Sequence, residues 1–422
     1  MQNFPKYDTY KDSGISWLHE IPEHWELKKN KYLVKELKIA VGNKAHEYLL
    51  LSLTLNGVIA RDMENMKGKF PAEFNTYKVV KTDDLIFCLF DIEETPRTIG
   101  IAKQDGMITG AYTIFRSGPE ISPRYLYYYY LSLDFDKRLK PLYSGLRKVI
   151  QRDTFMSIKT PLPSIEEQDR IVNFLDQKTA EIDEAIAKKQ RLIELLKEQK
   201  AILINQAVMK GIKPNVPMKD SGMEWIGEIP KHWSVIPSRY LFRDVTRMKR
   251  DGTEVKFSVT QKRGLVPTDE MEENSTQAVS YDSFKLCHPG DLVLNKYKAH
   301  LGVFWAADQR GIITNNYTVF GPQRVLNPKY FELLYHTNLY QWKFRISAYG
   351  IVEGMMPLYS KDFASVQSIL PPIDEQNEIV NYAIKVDKEY NSVSEKIEDE
   401  IRKLIELKHT YISSAVTGKI KI

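Results

Sequence analysis

The sequence has little cysteine: Cys88 and Cys287 are the only two in 422 residues, far apart and each inside an apolar run. That excludes a disulfide framework, points to a reducing compartment and makes both thiols core residues. No apolar stretch reaches the roughly 18 residues that span a bilayer. The start, "MQNFPKYDTYKDSG", has no basic segment followed by an apolar run, so neither membrane spanning nor secretion is expected and a cytoplasmic location is. Nucleotide and metal chemistry are also missing. There is no Gly-x4-Gly-Lys-Ser/Thr phosphate loop, "GKI" at 418–420 lacking both the upstream glycine and the hydroxyl. Eight histidines are scattered without ligand spacing, so no metal site is expected. His24 and His232, each between Pro and Trp, read as structural.

Two further candidates for catalysis fail. "NPKY" at 327–330 is close to the Asn/Asp-Pro-Pro-Tyr motif of amino-methyltransferases, but Lys329 stands for the second proline and no Gly-rich loop precedes it; it reads as a helix start. "EVK" at 254–256 is half of a nuclease motif and is common in a charged chain. No catalytic residue is assigned.

What the chain does have is a duplication. "KDSGISWLHEIPEHWEL" at 11–27 returns as "KDSGMEWIGEIPKHWSV" at 219–235, and "LPSIEEQDRIVNF" at 162–174 as "LPPIDEQNEIVNY" at 370–382, both 208 residues on. "AVMKGI" at 207–212 and "AVTGKI" at 415–420 keep the same separation. Each half is thus a Trp/Pro element, a variable block (28–161 and 236–369) and a helical segment. The length itself calls for more than one core. In the blocks, β-branched and aromatic runs broken by Gly, Pro, Asn and Asp predict strands with some helix, including helix starts at "SPRYLYYYYLSL" and "NPKYFELLYHTNLY".

The helical segments carry a heptad stripe. From Ser164, an N-cap with Glu167 at capping-box distance, apolar residues recur at Leu175, Ile182, Leu196 and Leu203, with Ile186, Ile193 and Ala207 four positions after members of that series; Lys189 and Lys200 break it. Tyr390, Ile397, Leu404 and Tyr411 hold the second series, which opens at Asp374. Gly211 and Pro214 end the first helix, and the second is expected to run to the C-terminus. A stripe this narrow on a rod of about 60 Å wants a partner helix, and the other copy is the obvious one. Two unrelated surface helices are the plainer alternative.

Net charge is modest, +5, but basic residues cluster with amides and aromatics inside the blocks. "KRLK" (137–140) and "GLRKVIQRDTF" (145–155) lie in the first, "QKRG" (261–264), "NKYKAH" (295–300) and "TNNYT" (314–318) in the second. Lys and Arg neutralise phosphates, and Arg, Asn and Gln read base edges. The DNA-binding candidates are Arg97, Arg147, Lys148 and Arg152 in the first block and Arg263, Lys296, Lys298, Asn315 and Asn316 in the second.

Two divergent domains, each opened by "DSGxxWxxxIPxHW" and followed by "LPxIxEQxxIV", closely resemble the specificity subunit of type I restriction-modification systems, over essentially the whole chain. Pro163, Ile165, Glu167, Gln168 and Pro371, Ile373, Glu375, Gln376 carry the doubled motif. The resemblance implies an α+β fold: two pseudo-symmetric DNA-recognition domains separated by two long antiparallel α-helices in a coiled coil. The corresponding segments are recognition domain 1 (1–163), spacer 1 (164–212), recognition domain 2 (213–371) and spacer 2 (372–422). It further implies a non-catalytic subunit that reads an asymmetric bipartite sequence in double-stranded DNA. The implied partners are two modification (methyltransferase) subunits, which carry S-adenosylmethionine, and motor-nuclease restriction subunits, in defence against foreign DNA. No cofactor is expected in this chain. A fused enzyme with an unrecognised active site and a protein scaffold that touches no DNA are the rival readings.

Overall fold

The structure, a computed structural model, describes residues 4–61, 74–144, 148–248, 252–271, 283–348 and 357–422. It divides into two compact units, one of residues 1–190 with 398–422 and one of residues 191–397. Both long helices are cut by this division, because half of each packs with one variable block; the four consecutive sequence segments expected above are therefore distributed over two bodies.

In the first unit, strands Val34–Leu37, Thr113–Ser117, Leu85–Phe87 and Ile99–Ile101 form an antiparallel sheet in that order. Two small pairs accompany it, Leu51–Thr54 with Gly57–Ala60 and Lys78–Val80 with Gly106–Ile108. Helix Pro123–Phe135 starts where Ser-Pro placed it: the Ser122 hydroxyl accepts from Tyr125 N at 3.4 Å, and proline occupies the first turn, where no N–H is needed. Its buried face, Tyr125, Tyr129 and Tyr130, meets Phe87, Phe115 and Phe155 in one core. The rings of Phe87 and Phe155 lie 4.9 Å apart, edge to face.

The second unit repeats the sheet order with Phe242–Asp244, Thr318–Pro322, Leu292–Leu294 and Phe304–Ala306. It differs outside it. Here a second four-stranded sheet, Leu265–Pro267, Val255–Val259, Gly311–Ile313 and Lys285–Cys287, contains one parallel pairing. "NPKYFELLYHTNLY" becomes two helices, Pro328–Tyr335 capped by Asn327 and Asn338–Ser347 capped by Thr337. Cys88 and Cys287 are buried free thiols.

The long helices span Ile165–Lys210 and Ile373–Val416. Glu167 N donates to the Ser164 hydroxyl at 3.3 Å, the expected cap. Within the first unit they run antiparallel: Asp183 meets Lys408 at 2.7 Å, and Lys189 meets Glu400 further along one helix and earlier on the other. Within the second, Lys200 Nζ reaches Asp387 Oδ1 at 2.8 Å and Asn391 Oδ1 at 3.0 Å, while Ala207 and Val208 share a core with Ile379 and Val380. The two lysines that break the heptad thus each form an interhelical ion pair. Leu175, Ile182 and Ile193 of the stripe are buried, whereas Leu192, Leu195 and Ile202 beside it are exposed. One expectation is corrected. The second helix stops at Val416 rather than at the C-terminus, because Gly418, at φ +72°, turns the chain out of it. Among the described residues no helix is long and apolar enough to cross a membrane.

Candidate nucleic-acid interface

The repeated strings come together as one joint in each unit. The Trp/Pro element is a hairpin, Tyr10–Asp12 with Glu20–Pro22, whose end delivers His24 and buried Trp25 to the start of the first long helix. There Glu167 takes the Tyr7 hydroxyl at 2.5 Å and His24 Nε2 at 3.0 Å. Burial and the bond to Glu167 push the Tyr7 phenol well up. In the second unit Glu375 takes His232 Nε2 at 2.7 Å and Trp233 Nε1 at 2.8 Å. Burial pushes the Glu375 carboxyl up, but the hydrogen bonds from Trp233 and His232 outweigh it and leave it lowered.

The glutamine of each motif faces the other way. Gln168 Oε1 accepts from Ser122 N at 2.8 Å, and Gln376 Oε1 from Asn327 N at 2.8 Å, so each fixes the cap of its domain's own helix. Their amide nitrogens donate to the carbonyls of Pro163 and Pro371. A third contact brings in the end of the other long helix: the Tyr125 hydroxyl donates to Val416 O at 3.3 Å, and that of Tyr330 to Val208 O at 3.0 Å. The glycine that ends that helix packs on the tryptophan. A Cβ on Gly211 would stand 3.3 Å from Trp233, and one on Gly418 would overlap Pro22 and stand 3.2 Å from Trp25. All three repeated strings therefore serve the mounting of a domain on two helix ends.

Each sheet also holds a buried aspartate. Asp84 receives Arg116 Nε at 2.7 Å and Nη2 at 2.9 Å; Asp291 receives Arg247 Nη1 at 2.5 Å. Both aspartates also cap their own turns, accepting from Lys81 N and His288 N. The arginines come from different places in the two blocks, so this pairing could not be read from the repeat.

The sequence-chosen DNA candidates are placed unevenly. Arg97 is tied inward, 3.4 Å from Asp134 and over the Phe135 ring, and Asp134 also takes Lys137 and the Thr98 hydroxyl. Lys148 stands 3.6 Å from both Glu93 and Glu94, and Arg152 Nε donates to Glu36 at 2.6 Å. Arg147 lies outside the described residues. In the second unit Arg263 is exposed on the loop before Leu265–Pro267, its backbone N bonded to the Thr260 hydroxyl. Lys296 and Lys298 share the turn Lys296–Leu301, Lys296 over the Tyr297 ring at 5.2 Å. Asn315 and Asn316 are exposed in the turn between Gly311–Ile313 and Thr318–Pro322. The second unit thus presents its candidates on three loops, while the first holds its described ones in ion pairs. No group of three or more His, Cys, Asp or Glu suited to a metal occurs among the described residues.

A family model described as the type I restriction modification DNA specificity domain matches residues 25–195. A putative type I restriction enzyme specificity subunit, MjaX, from Methanocaldococcus jannaschii is 23% identical over 99% of this chain and 98% of its own length. Residues 25–195 thus carry a type I restriction modification DNA specificity domain, and the chain as a whole is similar to type I restriction enzyme specificity subunits. The MjaVIII specificity subunit of the same organism is 24% identical over 54% of this chain and 52% of its own. Among solved structures, a chain from a study of assembly and conformational transition of the type I R-M system matches with TM-score 0.65 at 13% identity, covering 94% of this chain and 98% of that one. The HsdS subunit from Thermoanaerobacter tengcongensis matches with TM-score 0.51 at 16% identity, covering 95% and 98%. These two likenesses carry the fold. The matched domain is described by its DNA specificity, and the relatives are specificity subunits.

Proposed function

We propose that this chain reads an asymmetric, bipartite sequence in double-stranded DNA, one half per domain, as the specificity subunit of a type I restriction-modification complex. The observation that supports this reading best is the contrast inside the molecule. Both units keep the same sheet order and the same joint to the long helices, whereas their outer strands and loops differ. Unlike reading surfaces on like mounts suit two unlike half-sites. The long helices, in this reading, fix the unread gap and dock two modification subunits, which supply S-adenosylmethionine and the methyl transfer; motor-nuclease subunits join them for restriction. Exposed Leu192, Leu195 and Ile202 on the first helix suit such a docking face.

The DNA-binding residues in this scheme are Arg263, Lys296, Lys298, Asn315 and Asn316 in the second domain. In the first, Arg97, Lys148 and Arg152 would exchange a carboxylate for DNA, and Arg147, next to Lys148 in the sequence, is the fourth candidate. Single-base methylation mapping tests the scheme: the complex with modification subunits methylates a split, asymmetric sequence, and the chain alone with S-adenosylmethionine methylates nothing. Methylation by the chain alone would establish an enzyme instead. Insertion of one heptad into both helices changes the gap and leaves both half-sites as they were.

A further inference from the structure

Just inside the blocks that otherwise diverge, the two units share one more segment. Residues 31–36 read KYLVKE and residues 239–244 read RYLFRD, again 208 apart. Leu33 and Leu241 are buried, as are Val34 and Phe242. The residues around them face solvent: Lys31, Tyr32 and Lys35 in one unit, Arg239, Tyr240 and Arg243 in the other. Tyr32 is 63% exposed and Tyr240 57%, and each carries its basic neighbour over the ring, Lys31 at 4.8 Å and Arg239 at 4.9 Å.

The segment is held firmly from behind. Asn30, one residue before Lys31, is buried with its amide on the Tyr130 hydroxyl and Phe155 carbonyl, and it accepts from the Thr160 hydroxyl at 2.8 Å. Ser238 occupies the equivalent place, bonded to Val366 O and to Ser368. The acidic residue that follows is turned away in both units: Glu36 takes Arg152 and Lys38, and Asp244 takes the Ser360 hydroxyl. Arg152 and Ser360 are the same position 208 residues apart. Hence Lys31, Lys35, Arg239 and Arg243 have no carboxylate partner among the described residues, unlike Arg97, Lys140 or Lys148. In the first unit like charges even accumulate. Lys29 lies directly opposite Lys159, an arrangement that costs stability unless an anion is present, and Lys35 lies opposite Arg116, whose own charge Asp84 already meets.

A surface kept alike in two domains that read different sequences must meet something alike in both half-sites. The sugar–phosphate backbone meets that condition and base edges do not. Uncompensated charge around an exposed phenol also suits a polyanion better than a protein surface, whose buried centre is depleted of lysine. We propose that Lys31, Tyr32 and Lys35, and in the second unit Arg239, Tyr240 and Arg243, are backbone clamps: the cations meet phosphate oxygens and the tyrosine hydroxyl donates to one. The clamps are indifferent to sequence, and this assignment rests on the DNA-reading function proposed above.

The test uses the full chain assembled with modification subunits, bound to its methylated-site duplex and to a scrambled duplex over a range of salt. Lys31→Ala with Lys35→Ala lowers affinity for both duplexes by the same factor and reduces the log–log salt slope by about 2; Arg239→Ala with Arg243→Ala does the same. Lys31→Arg with Lys35→Arg keeps the slope. Tyr32→Phe, which keeps the ring, weakens both duplexes about tenfold. The methylation map keeps its sequence throughout. An unchanged slope overturns the clamp, as does a loss confined to the target duplex, or a loss of bound modification subunit, which would make the segment a protein-docking face. Because the side chains are exposed, the variants melt like the parent. Failure of the unaltered complex to bind duplex at all would sink the DNA reading; binding that the variants match sinks only the clamp.

Discussion

In the first unit Glu167 is satisfied by Tyr7 and His24, and buried Trp25 Nε1 has no hydrogen-bond partner among the described residues; in the second Glu375 takes His232 and Trp233 Nε1 together. The same carboxylate at the same helix start is served by different donors. The sheets behave alike: strand order is common, but the arginine that meets the buried aspartate comes from the strand Thr113–Ser117 in one unit and from Arg247, beyond the strand Phe242–Asp244, in the other. The comparison separates what the mount demands, an acid and an amide at the helix start, from what each block supplies in its own way.

Breaking the joints at their glycines gives the largest effect. Gly418→Ala forces a Cβ into Pro22 at positive φ and is expected to cost about 2 to 5 kcal/mol, whereas Gly211→Ala, with 3.3 Å to Trp233, costs about 1 to 2 kcal/mol. Hydrogen exchange of the two units reads each loss separately.

Acid sharpens the contrast next. His336 is pushed down to about 4 by burial and by nearby Lys329. The unfolded chain therefore binds the extra proton first, so stability of the second unit is full above about pH 6.5 and falls as pH drops toward 4, by up to about 3 kcal/mol. In the first unit His409, lowered by burial and by Arg97 and Lys408, gives a smaller fall in the same direction. His336→Gln flattens the second unit's profile.

Trp233→Phe removes a donor to a carboxylate and Trp25→Phe does not, so the former costs about 1 to 2 kcal/mol more. The smallest change belongs to the helices: Lys200→Met, which deletes a half-exposed ion pair but restores the apolar stripe, shifts stability by under about 1 kcal/mol.

Much of this frame was legible in the sequence. Ser164 and Gly211 bracket the first helix because caps and left-handed glycines are local signals. The partners of Glu167 and Glu375 were not legible, lying about as far along the chain as His24 and His232, and side-chain pairing at such separations leaves no periodic trace. Lys189 and Lys200 read as defects in a heptad because only the facing helix supplies Glu400 and Asp387. Arg97 and Arg152 read as free cations in basic stretches for the same reason: Asp134 and Glu36 reach them from elsewhere in the chain. The KYLVKE and RYLFRD repeat was present in the sequence but is short and lies within blocks whose surroundings diverge.

The most direct test of two unlike readers on like mounts is to exchange residues 28–161 for the corresponding block of a type I specificity subunit, keeping Trp25, Glu167, Gln168 and Gly418. Methylation mapping of the assembled complex should then show one half of the recognised sequence replaced, with the other half and the gap intact. A map altered in both halves, or in neither, would contradict the account.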